Sequence, residues 1–177
     1  WSVCITALLR GRLVFILDVF RAKLTYPDLK RRLEGLANEW NIGILLVEDA
    51  ASGQQLIQQL RHENRPGIPR PIACRPEGSK LMRFLSQTAK IEAGDVVLPE
   101  DAPWLATFEK EVLGFPGGRH DDQADALAQL LAWAGNRREN TIAAAPMVFN
   151  ADGTEYRSDD DDDEGWWESE DRYVVRG

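Results

Sequence analysis

The chain has 177 residues, is 44% hydrophobic and carries a net charge of −8. That suits one folded domain with a real core, and no apolar run approaches the roughly 18 residues a membrane span needs. The charge is uneven: residues 150–177 hold eleven acids against three arginines, so the body is neutral and the low pI does not argue against a nucleic-acid partner.

Trp1 to Leu9 reads as a strand, Arg10-Gly11-Arg12 as a turn and Leu13 to Phe20 as a second strand, together a hairpin. Thr25-Tyr26-Pro27-Asp28 opens a helix, carried by Leu29, Leu33, Leu36, Ala37 and Trp40 and stopped at Asn41-Ile42-Gly43. Ile44 to Val47 is continuously apolar, the pattern of a strand covered on both faces, and it ends in Glu48-Asp49. Ser52-Gly53-Gln54-Gln55 is a second capping box, before Leu56, Ile57 and Leu60. A short strand follows at Pro71 to Arg75, then a helix over Lys80 to Lys90 with Leu81, Phe84 and Leu85 inward. Ile91 to Leu98 reads as a small hairpin around Gly94, and Trp104 to Leu113 as a helix ended by Gly114. The last helix runs from Asp121 to about Ala134.

Cys4 and Cys74 lie in apolar segments and read as buried free thiols, which fits a reducing cytoplasm. Beyond Asn136 the character changes. Ala143-Ala144-Ala145-Pro146 is linker-like and Asp159 to Glu164 is a block of like charge. The expectation is a domain over 1–140 and a disordered acidic tail over 141–177, in which Trp166 and Trp167 are incidental or dock a partner.

The chemistry concentrates in His120-Asp121-Asp122-Gln123-Ala124-Asp125 at the start of the last helix. One Asp there would be a cap that favours the positive helix end. Three carboxylates and a histidine repel or crowd one another, and a hard divalent cation relieves them. Helical spacing lets one ion reach two of the acids and turns Asp121 and Asp125 towards the apolar stripe of Ala124, Leu127, Ala128 and Leu131, with Asp122 further out. Glu48 ends a buried strand, where α/β folds collect their sites. Carboxylates from a strand end and from a facing helix are what two-metal phosphodiester hydrolysis needs, with two Mg²⁺ or Mn²⁺ ions about 4 Å apart.

The stretches Val47-Glu48-Asp49-Ala50-Ala51-Ser52-Gly53, Leu98-Pro99 and Phe115 to Leu127 resemble the C-terminal nuclease domain of tailed-phage terminase large subunits. Tyr26-Pro27-Asp28-Leu29-Lys30 and Lys80-Leu81-Met82-Arg83 fit in order, and the resemblance covers about residues 1–135. It implies an RNase H-like α/β fold, a mixed sheet flanked by helices. It implies metal-dependent endonuclease cutting of concatemeric viral DNA during packaging, in the host cytoplasm, from a phage or prophage gene. The partners implied are double-stranded DNA, the terminase ATPase domain, the portal and the small terminase subunit. It places a metal-binding acid at Glu48 and another within Asp121-Asp122. Asp125 falls where related resolvases carry an acid, His120 is a ligand or orients the leaving group, and Lys80 and Arg83 are candidate phosphate contacts.

Two departures stand out. No G-x-x-x-x-G-K-[ST] motif occurs, so ATP hydrolysis is not expected of this chain. The first strand of the fold, with its catalytic Asp, would lie before Trp1. Asp18, the one early strand acid, falls in the third strand by that count and reads as a hairpin surface position. The expectation is therefore a fragment with a gap in its sheet and little nuclease activity alone. The alternatives are a non-catalytic packaging or docking module, or a decayed prophage fragment. A histidine-aspartate phosphohydrolase would need more histidines than His62 and His120, and the Glu48 to Gly53 stretch argues against a Holliday-junction resolvase.

Overall fold

Alternation along two long strands sets the architecture. The computed structural model describes residues 1–50, 52–142 and 172–176. β1 (Ser2–Arg10) and β2 (Leu13–Ala22) form the expected antiparallel hairpin, turned by Gly11 in the left-handed region at φ +56°. Leu17 is an extra residue opposite Thr6 and Ala7, a bulge that bends the hairpin. After α1 (Tyr26–Glu39) come β3 (Ile44–Glu48), α2 (Ser52–Glu63) and β4 (Ile72–Cys74), with β3 and β4 parallel. Then follow α3 (Lys80–Leu85), α4 (Thr88–Glu92), β5 (Val96–Val97), α5 (Leu105–Gly114), α6 (Asp122–Ile142) and β6 (Arg172–Arg176).

One mixed sheet runs in the order β4-β3-β6-β1-β2-β5 between two helical layers. On one face Val3, Ile5 and Ala7 of β1 and Leu46 of β3 pack with Phe108 of α5 and Ala126, Leu127, Leu130 and Leu131 of α6. On the other face Cys4, Leu45 and Val47 pack with Leu33 and Leu36 of α1 and Leu56 and Leu60 of α2. Each such fully buried leucine contributes about 1.5–3 kcal/mol. Cys4 and Cys74 are free thiols, as expected, but only Cys4 is buried and Cys74 is half-exposed at the edge strand β4. No helix among the described residues is long and apolar enough to cross a membrane.

Four expectations are corrected. The helix over 80–90 is broken into α3 and α4, because the Ser86 and Thr88 hydroxyls donate to the Arg83 and Leu85 carbonyls at 2.7 and 2.8 Å and compete with the helical ladder. Of its three apolar residues only Phe84 is buried; Leu81 and Leu85 are 40% and 50% exposed. Residues 91–98 form no hairpin: Gly94 (φ +73°) turns the chain out of α4, and β5 pairs in parallel with β2. α6 continues to Ile142, past the expected end near Ala134 and through Gly135. A β-carbon there would lie 2.5 Å from the Lys90 ammonium, which donates to the Leu131 carbonyl.

The fourth correction concerns the sheet. The place between β1 and β3 is filled by β6, antiparallel to β1 and parallel to β3. These residues belong to the stretch expected to be a disordered tail. The linker, the acidic block and Trp166-Trp167 lie outside the described residues.

Candidate active site

Glu48 is the last residue of β3 and shares the face of Leu46, the face that α6 covers. Its backbone is held from behind by Gly53, near the start of α2. A β-carbon at position 53 would sit 2.0 Å from the Glu48 carbonyl oxygen, so only glycine permits this approach. Asp49 points elsewhere, 3.1 Å from Arg75, while its N–H donates to the Cys74 carbonyl at 2.7 Å.

Across from Glu48, α6 begins. Asp121 supplies the carbonyl for the first helical bond, from the Asp125 N–H at 2.9 Å. The helix start is anchored by Glu111 of α5, which accepts from the Gln123 backbone N–H at 2.6 Å and from its Nε2 at 2.7 Å. Asp125 is buried and accepts from Arg83 at 2.6 and 3.2 Å. The more exposed Asp121 accepts from Lys80 at 3.0 Å. Asp122 turns the other way, 3.6 Å from Arg21, which lies equally close to Glu111. Three cations thus neutralise the three acids of the motif. His120 stands edge-on to Trp1 at 5.9 Å, and Arg21 and Lys23 lie over the same indole.

Burial, and then the charge of Asp125, push the Glu48 carboxyl above its usual range, while Arg83, Lys80 and Gln129 pull it back. Gln129 lies one helical turn beyond Asp125 and beside Glu48. Its carboxamide is buried, and neither polar atom completes a well-formed hydrogen bond. Cys74 pairs with Glu48 across the β3–β4 ladder, and burial with the Glu48 charge raises its thiol to about 11, so it stays protonated. A cavity of about 420 Å³ opens beside these groups, lined by Cys74, Arg75, Arg83, Gln129 and Trp133 among others.

The structure therefore brings together Glu48, Asp125, Lys80 and Arg83, with Asp121 at the rim on Lys80. Asp122 and His120 face the Arg21–Trp1 side. Lys80 and Arg83, read as phosphate contacts, are spent on the acids of α6. Among the described residues no three His, Cys, Asp or Glu side chains converge as a ready metal cage. The donor set nevertheless suits a hard divalent ion. Glu48 and Asp125 are oxygen ligands that repel one another, and the Gln129 amide could bond an ion's water. Sequence reasoning missed Glu111, Gln129 and Cys74. Gln129 alone had a signal, its i+4 spacing from Asp125. Asp18 is half-buried and feels Arg32 and Glu39 of α1, on the sheet face away from this site.

A mixed sheet with an acid at the end of an inner strand, faced by an acidic helix, defines an RNase H-like domain. The family model of the terminase RNase H-like domain matches residues 3–133, and the chain belongs to that family. No curated protein and no solved structure matches it.

Proposed function

We propose that this domain is a metal-dependent DNA endonuclease centre of a terminase, acting on concatemeric viral DNA as it is packaged. The observation that carries the reading is the pairing of the half-buried Glu48 at the end of β3 with the buried Asp125 on α6, where desolvation and then the Asp125 charge raise the Glu48 pKa. Mg²⁺ or Mn²⁺ held there would supply an activated water and a positive charge at the leaving oxygen. Glu48 and Asp125 are the ligands, Asp121 joins them once freed from Lys80, and Gln129 orients a water beside Glu48. Lys80 and Arg83, released from the acids, turn to the phosphates of the cut strand. His120 and Asp122 flank the approach with Arg21. The partners on this reading are double-stranded DNA, the terminase ATPase domain, the portal and the small subunit, in the host cytoplasm.

Calorimetry with Mn²⁺ tests it. The expected result is binding that Glu48→Gln with Asp125→Asn abolishes. β6 carries no acid, so supercoiled plasmid should be nicked only slowly by this chain. Absence of binding at millimolar Mn²⁺ overturns the reading. The ion pairs of Lys80 and Arg83 would then be a structural clamp, favouring a non-catalytic docking module.

A further inference from the structure

β6 is an inner strand that receives a ladder from each side. Cys4 to Leu8 of β1 pair with it in antiparallel fashion, and Ile44 to Val47 of β3 in parallel. Val174 stands at the middle, opposite both Thr6 and Leu45. The residues bordering the slot, Cys4 to Ala7 and Leu45 to Val47, are buried, and α6 crosses β6 on one face. An empty slot would leave two rows of buried backbone N–H and C=O groups without partners. Its recognition is therefore mostly main-chain, and any extended segment of suitable polarity and β propensity satisfies it. The segment now in it, Arg-Tyr-Val-Val-Arg, joins the rest only through residues 143–171.

We infer that the slot between β1 and β3 is a strand-binding site, and that segment 172–176 is its exchangeable ligand, bound parallel to β3. This does not rest on the nuclease reading. A covalently tethered strand competes at an effective concentration on the order of 1 mM, so a free copy of the segment displaces it only near that level. The occupant also sets which residue borders the end of β3. Among the described residues the pairing reaches Arg176 opposite Val47, one residue before Glu48.

Hydrogen exchange on the full chain tests the site. Val174→Pro removes an N–H and should speed exchange of the amides of residues 4–8 and 44–47 about tenfold. A synthetic peptide of residues 171–177 at about 1 mM should restore protection, and the same peptide with proline in place of Val174 should not. Unchanged exchange in V174P overturns the assignment of the segment to the slot. Loss of protection that the peptide fails to restore overturns exchangeability. A second arm avoids any weakened fold: a protease site placed near residue 155 is cut, and the released C-terminal fragment should stay with the body on gel filtration until excess labelled peptide displaces it. Immediate loss of the fragment, or no displacement, counts against the inference.

Discussion

At Glu48, burial and the neighbouring Asp125 act in the same direction, and the sign of their effect on stability follows. The folded-state pKa is raised, so the folded chain keeps the proton to higher pH than the unfolded chain does. The carboxyl therefore lowers stability above that raised value, and the penalty fades as pH falls to the ordinary glutamate range. Glu48→Gln should raise Tm at neutral pH, and the gain should vanish in acid; thermal melts between pH 4 and 8 would show it. An equal gain at all pH values would contradict the account. Gly53 is the complementary case, because its role lies in the atom it lacks. Gly53→Ala must displace either α2 or the Glu48 carbonyl, at about 1–3 kcal/mol in urea unfolding, and should weaken Mn²⁺ binding with it. The Glu48-to-Gly53 spacing was visible as a motif in the sequence, but the Glu48 carbonyl standing where a β-carbon of residue 53 would go was not.

Among the elements, α3 decides how the site rests. Its Lys80 and Arg83 hold two of the three acids on α6, so a short helix with three exposed apolar residues stays docked mainly through Phe84 and charge. Arg83→Ala leaves Asp125 as a buried, unpaired carboxylate and should cost about 3 kcal/mol. Millimolar Mn²⁺ should return much of that loss if Asp125 is a ligand, and denaturation with and without the ion measures both. β1, β2, β3 and α1 were legible because their signals are local: period two, period 3.6 and a Pro-marked helix start. The α3–α4 break was not, since it depends on which hydroxyl reaches which carbonyl.

Over the whole molecule, the predicted RNase H-like layout holds, and the sheet differs from expectation at β5 and β6, each paired with strands distant in sequence. Nothing local marks residues 172–176 as an inner strand: they follow a run of acids, and their partners are the first and third strands of the chain. The site was legible in its acids and not in their pairing, because Lys80, Arg83 and Arg21 come from separate elements. The placement of β6 also bears on how the protein is made. During synthesis β1 and β3 emerge early, yet neither can complete its ladders until residues 172–176 have left the ribosome. Until then the β1 and β3 edges that β6 covers are open to other strands. Its folding is a late, long-range closure rather than a hairpin growing outward, so the yield of folded protein should depend on translation speed and on chaperones that cover those edges.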